Sequence, residues 1–409
     1  MRRAAAEDVG TLLKLARMVY FINLPPDERI IGQKIAQSRE CFTRVAAYGS
    51  DERTEGQIGA VVAGLASDHS DLFMFCVEHS ESGGVIGTSQ IKARMGGPGN
   101  PNYSFKVSSR EFKSKSLGVG TTHLIARLFE DVTGPTEVGG LIIQPSFRGH
   151  KSKPGRFLSF VRFHFIGLHR PLFAERILAE MMASVSSDGD NLFWDHIGRK
   201  FIPVKYSEAD RFCQHNRKFI DELMPKDDLY LSLLPLDVLN QVAQVSPETV
   251  PARRLLEKLG FEYKGHIDPF DGGPHLEAVA EKVTLVKATR RTTVGGVASD
   301  SKRSSYAILS TMDDDGEFRA ISDWVQVDSS GRVCLTREQL EGLSVEAGQD
   351  VGITTMDGER GGPAGAGSVK GKKGKANAGV RAASAATPSP EPVESVPARK
   401  GRSKKKAGV

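Results

Sequence analysis

The chain has 409 residues, 39% hydrophobic and 26% charged, length enough for about two to three domains with real cores. Lys and Arg total 55 against 50 Asp and Glu, yet residues 361–409 alone hold eleven Lys/Arg and two Glu, so the tail is +9 and the remainder −4. The basic pI therefore says little about the partner of the folded body. Cys41, Cys76, Cys213 and Cys334 show no C-x-x-C spacing, which excludes a disulfide scaffold and the usual structural zinc site, and no metal centre is expected. MRRAAAEDVG lacks the apolar stretch of a signal peptide. The most apolar run, 157–168, is broken by Arg162 and His164, too short and too polar to span a bilayer. A soluble protein of a reducing cytoplasm is expected.

In chain order, Asp8 stands before Val9, Leu12, Leu13, Ala16 and Val19, a helical pattern with an N-cap candidate. Pro25-Pro26 breaks it, and a second helix is expected over 28–42. Residues 46–70 read as loop. A hairpin follows, Leu72 to Glu78 and Val85 to Lys92, turning at Gly83-Gly84. Leu141-Ile142-Ile143 has the continuous apolar character of a strand buried on both faces. A helix is expected over 156–169 and another over 251–258, the latter ending at Gly260 as its C′ glycine. Residues 306–356 alternate short β-like runs with turns around one helix capped by Thr336. From 361 on there is no aromatic, Leu or Ile, so too little apolar surface exists to offset ordering entropy. These patterns predict an α/β (α+β) domain over 1–290, a small β-rich module over 303–357 and a disordered Lys-rich tail over 358–409.

The strongest chemical signal is a strand, a basic glycine-containing loop and a helix: Leu141 and Ile142, then Arg148, Gly149, Lys151, Lys153, Gly155 and Arg156. A helix N-terminus presents unpaired N–H groups and a partial positive charge, and glycines let backbone approach a phosphate. The glycine spacing matches neither a Walker loop nor a dinucleotide fingerprint. A pyrophosphate cradle and a merely exposed basic loop both fit. The segment 251–261, a helix followed by Leu-Gly-Phe and a strand, is common in acyl-CoA-dependent N-acetyltransferase folds, and also fits any amphipathic helix with a glycine cap.

Longer strings are more specific. Leu24-Pro25-Pro26-Asp27-Glu28, Leu223-Met224-Pro225-Lys226, Gln244-Val245-Ser246-Pro247-Glu248-Thr249 and Phe270-Asp271-Gly272-Gly273-Pro274 resemble, in order and spacing, the arginine N-succinyltransferase family across residues 5–356. The resemblance implies an acyl-CoA N-acyltransferase-like (GNAT-like) mixed sheet flanked by helices. It also implies transfer of succinyl from the co-substrate succinyl-CoA to the α-amine of arginine or a related basic amino acid such as ornithine, with no permanently bound cofactor. The acyl-CoA strand of the family falls on Leu141 and its neighbours.

Such chemistry needs a base for the amine, donors for the oxyanion, here the backbone of Leu141 and Ile142, and counter-charges for the succinyl carboxylate and the guanidinium. The family's active-site histidine precedes proline in Gln-Val-His-Pro; this chain has Ser246 there. A serine hydroxyl is no general base at neutral pH, and it also fits as the cap of a helix beginning at Pro247. His266 and His275 are the nearby candidates for a replacement imidazole. The alternative to an enzyme is a CoA-binding family member with weakened or lost catalysis, tethered by its tail to nucleic acid through weak, non-specific phosphate contacts. A homo-oligomer or a related second subunit is a further expectation from the family.

Overall fold

The computed structural model describes residues 1–18, 24–47, 70–186, 188–213, 216–298 and 303–356. The Lys-rich tail and most of the segment expected as loop at 46–70 lie outside these residues. The strands are β1 (Arg2–Arg3), β2 (Leu72–Glu78), β3 (Val85–Lys92), β4 (Asn102–Ser114), β5 (Val119–Asp131), β6 (Thr136–Ile143), β7 (Arg176–Glu180), β8 (Leu229–Tyr230), β9 (Glu262–Ile267), β10 (Pro274–Val279), β11 (Thr289–Val297), β12 (Ser305–Met312), β13 (Phe318–Val327), β14 (Val333–Leu335) and β15 (Asp350–Thr355). With the helices they make a mixed α/β fold.

One half of the sheet runs β1-β2-β3-β6-β7-β10-β9-β4-β5-β8, antiparallel except where β6 meets β7. The other five strands follow the order β12-β15-β11-β14-β13, and a further β12–β13 pairing closes them into a ring. The ring joins the main sheet through β1, whose Arg2 pairs with Arg319 of β13 and Cys76 of β2. Within the ring, Thr336 and Gln339 form the reciprocal capping box that starts the helix Arg337–Leu343.

Strand alternation sorts the main sheet into two unlike faces. Phe73, Phe75, Ile91, Val138, Ile177, Ala179 and Leu276 point to one face and pack under the helix Pro154–Leu168. Phe42, Phe73, Phe75, Phe165 and Phe318 meet mostly edge-to-face, with centroids 4.8 to 5.9 Å apart, tying two helices, β2 and the ring into one core. Removing such a ring costs about 3–5 kcal/mol. On the opposite face, Leu72, Met74 and Cys76 pack under the helices Val9–Arg17 and Glu28–Ala47. Farther along that face the apolar pattern stops, and Glu137, Glu180, His275 and Glu277 stand on neighbouring strands.

Three expectations change at element ends. Asp8 occupies the N-cap position of Val9–Arg17 without capping it, because its carboxylate accepts the Ala5 N–H and pairs with Arg2 instead. The second helix continues past 42 to Ala47, where Val45 adds another buried position. The helix expected over 156–169 begins two residues earlier, with Pro154 in the first turn, where its missing N–H costs nothing. Gly260 does close Val250–Lys258: its φ is +101°, Phe261 N–H reaches the Leu256 carbonyl and Gly260 N–H reaches Glu257, a Schellman turn.

Candidate active site

The parallel strands β6 and β7 pair only at Thr136↔Ile177 and Glu137↔Leu178 among the described residues. Beyond that point β6 continues to Ile143 and β7 to Glu180 unpaired with each other, so the sheet opens between them. The opening coincides with a bulge. Gln90 opposes Gly139 and Thr88 opposes Ile142, which leaves Gly140 and Leu141 facing the single Ser89. Gly140 adopts φ +58°, and a Cβ there would lie 2.9 Å from Gln90 Cγ, so glycine is required. The extra residue reverses the side-chain alternation. Val138 belongs to the core under Pro154–Leu168, Ile142 to the core on the opposite face, and Leu141 and Ile143 again to the first.

The basic loop leaves the end of β6. Gly149 and Lys153 both take left-handed backbone, with φ +73° and +49°, and His150 Nδ1 meets Ser152 Oγ at 2.7 Å. Gly155 lies against β6, where a Cβ would stand 3.3 Å from Ile143 Cγ1, so the helix N-terminus sits beside the strand end. Arg148 is 43% exposed and reaches Glu248 Oε2 at 3.2 Å. Arg156 lies over the Phe160 ring, 4.8 Å from its centroid, and half-burial lowers its pKa from the ordinary arginine value.

Glu248 belongs to the turn that carries Ser246. That turn is pinned to the end of β7 by the Ser246 N–H, which donates to the Met182 carbonyl at 3.0 Å. The loop after β6 and the segment after β7 thus both hold on to residues 246–248, and Ser246 stands beside the gap between the two strands. The capping expectation for Ser246 is corrected here. The helix starts at Val250, not Pro247, and Ser246 Oγ is hydrogen-bonded to Thr249 Oγ1 at 2.8 Å. Its carbonyl, not its hydroxyl, accepts from the Thr249 and Val250 amides.

The two histidines part company. His266 on β9 places Nδ1 2.9 Å from Ser104 Oγ and its ring 5.0 Å from Phe129, and burial holds its pKa at about 4. His275 on β10 stands directly opposite Glu180, two residues before Met182. It is 3% exposed, its Nε2 lies 3.8 Å from Glu180 Oε1, and burial brings its pKa to about 4. No hydrogen-bond partner reaches that Nε2 among the described residues.

The polar face adjoining Glu180 was not singled out from the sequence. Asn102 donates to Glu180 Oε1 at 2.9 Å and accepts from Arg217 Nη1 at 2.8 Å. Asp268 is buried, and burial together with Asp271 and Glu180 lifts its carboxyl far above the usual range. Burial and Asp271 push Asp210 up to about 7. The Asp268-Pro269-Phe270-Asp271 string carried the only available signal, since two aspartates in so apolar a turn need a reason.

Residues 1–285 match the family described as arginine N-succinyltransferase beta subunit. The chain belongs to the arginine N-succinyltransferase family. Among its relatives, an arginine N-succinyltransferase of Yersinia pestis is 37% identical over 292 residues, covering 69% of this chain and 82% of that protein. One from Yersinia enterocolitica is 35% identical over 361 residues, 87% of this chain and 97% of its own length. The solved arginine/ornithine succinyltransferase subunit AI from Pseudomonas aeruginosa superposes with a TM-score of 0.69 at 24% identity, covering 87% of this chain and 97% of that one, which extends the likeness in fold through the strand ring. Among the described residues no helix is long and apolar enough to cross a membrane.

Proposed function

We propose that this chain transfers succinyl from succinyl-CoA to the α-amine of arginine, with ornithine as the next candidate acceptor, in a GNAT-like acyl-CoA fold. The parting of β6 and β7 at the Gly140 bulge, with a basic loop and a helix N-terminus at its rim, carries the reading. The pantetheine arm enters the gap along Leu141 and Ile142. Gly149, Gly155 and the helix start receive the pyrophosphate, while Arg148 and Arg156 supply charge. The amine nitrogen attacks the thioester carbonyl, a backbone N–H at the bulge steadies the oxyanion, the C–N bond forms, and the C–S bond breaks. The amine proton leaves to solvent, and the CoA sulfur takes one back.

Ser246 occupies the position where the family carries histidine. Its hydroxyl is suited to donate to the departing sulfur and unsuited to remove the amine proton. A pKa of about 4 makes either histidine a weak base at neutral pH; we assign His266, bonded to Ser104, to strand packing and His275, whose Nε2 has no partner among the described residues, to acceptor binding. The expected consequence is slow turnover. Incubation of the full chain with succinyl-CoA and a panel of arginine, ornithine, lysine and neutral amino acids, following free thiol and product mass, tests the reading. Thiol release with no amino acid in the panel would sink it.

A further inference from the structure

Beside the end of β7 lies a small pocket, open to solvent at its mouth. Glu180, Asp210 and Asp268 bring carboxylates to its lining, and Tyr103, Ile220 and Phe270 give it flat apolar walls. Arg217 is at hand, but its Nη1 is turned to Asn102 Oδ1 at 2.8 Å. Among the described residues no ion pair joins any cation to Asp210 or Asp268. Among the described residues, Asp210 Oδ1 is buried with no hydrogen-bond partner.

A second observation points to a ligand. His275, 3% exposed, has no partner for Nε2 among the described residues, and ligand atoms of His275, Glu180 and Asp268 all lie within 4.8 Å of one another. A neutral imidazole with its proton on Nδ1 offers a lone pair at Nε2. Beyond Arg217 and Asn102, which bond to each other, the carboxylates of the lining and the neighbouring His275 Nε2 offer acceptors, and a buried set of that kind is costly until a donor fills it.

We propose that this cavity receives the guanidinium group of the acceptor amino acid, with Asp268 and Asp210 as its counter-charges and Glu180 and His275 Nε2 accepting further N–H bonds. A guanidinium carries five donors in one plane and is weakly hydrated, which suits several acceptors between flat walls. A divalent ion would face the nearby charge of Arg217 at twice the repulsion. The placement is continuous with the transfer site, because Glu180 is two residues from Met182, whose carbonyl holds the Ser246 turn. The proposal rests on the succinyltransferase reading for the word acceptor, while the cavity's preference for a guanidinium is testable without turnover.

The test pairs kinetics with equilibrium binding on the full chain. Citrulline, the neutral isostere of arginine, is the decisive control. Calorimetry in the presence of CoA is expected to show arginine binding at least tenfold tighter than citrulline. Asp268→Asn and Asp210→Asn should each raise KM for arginine roughly ten- to a hundredfold, the loss of one charge-assisted contact, with KM for succinyl-CoA unchanged. Circular dichroism melts identify any variant that fails to fold, and the wild-type comparison of arginine with citrulline then decides by itself. Equal binding of arginine and citrulline, arginine affinity indifferent to both folded variants, or binding of Mn²⁺ at the site that arginine does not displace would overturn the assignment. Arginine binding that excludes citrulline, without thiol release from any amine, would uphold the pocket and overturn only the transferase reading.

Discussion

Ser246 donates its backbone N–H to the carbonyl of Met182 at 3.0 Å, which fixes the turn bearing its hydroxyl to the end of β7, beside the gap in the sheet. The position is therefore held by backbone, and a change of side chain leaves that hydrogen bond in place. Ser246→His is expected to raise turnover with succinyl-CoA and arginine, toward the ~10²–10⁴ that a well-placed general base contributes. Ser246→Ala removes only the 2.8 Å bond to Thr249 Oγ1 and should cost about 0.5–1.5 kcal/mol in a melting experiment. A wild type as fast as ordinary acyltransferases and indifferent to both changes would place the catalytic centre elsewhere.

The rim of the gap gives a second expectation. Arg148→Ala and Arg156→Ala should each weaken CoA binding by about 1.5–3 kcal/mol, read by calorimetry. Arg148 already holds Glu248 at 3.2 Å, so Glu248→Gln should tighten CoA binding by releasing the guanidinium. Unchanged affinity in both arginine variants would remove the phosphates from this loop.

Gly140 tests the bulge itself. Alanine there must accept φ +58° and press on Gln90, at about 1–2 kcal/mol for the left-handed backbone. On the proposal that a backbone N–H at this bulge binds the oxyanion, kcat should fall by more than the stability loss explains. Full activity in a destabilised Gly140→Ala would separate the bulge from oxyanion binding.

Asp210 gives a pH dependence. Burial first, and Asp271 second, raise its folded pKa from 3.8 to about 7, so between those values the folded state holds a proton that the unfolded state has lost. Stability from this group is therefore present at low pH, declines as pH climbs toward 7 and levels off above it. Tyr206, Cys213, Asp268, Asp271, Glu180 and the cation Arg217 are the charged and titratable groups around it. Asp210→Asn should raise the melting temperature most at pH 8, less at pH 5, and have little effect only below the unfolded value of 3.8. The gain should shrink when arginine is bound to the wild type, whose carboxylate then has a counter-charge. A lower melting temperature for Asp210→Asn at pH 8 would show that the ionised carboxylate is already compensated.

The tail makes the last prediction, from composition alone. Deleting residues 361–409 removes a net charge of +9 and no aromatic, Leu or Ile. It should leave the melting temperature of the body unchanged and abolish any low-salt binding to duplex DNA. A lowered melting temperature would mean that the segment docks on the fold.

The sequence by itself determined what depends on near neighbours. The hairpin strands Leu72–Glu78 and Val85–Lys92, the glycine closing Val250–Lys258 and the Thr336 cap were all legible, because alternation, left-handed backbone and capping are set within a few residues. The basic loop and the Gln244-Val245-Ser246-Pro247 string were legible in the sequence. Only the tertiary structure decided that the loop and the Ser246 turn grip one another, since Arg148 and Glu248 are a hundred positions apart. It decided that Asp8 serves Arg2 and not the helix behind it. It also divided two histidines that look alike in sequence: strand register sets His266 against Ser104, and sets His275 against Glu180 with its Nε2 left open. Burial and register are properties of the whole sheet, and no local pattern carries them.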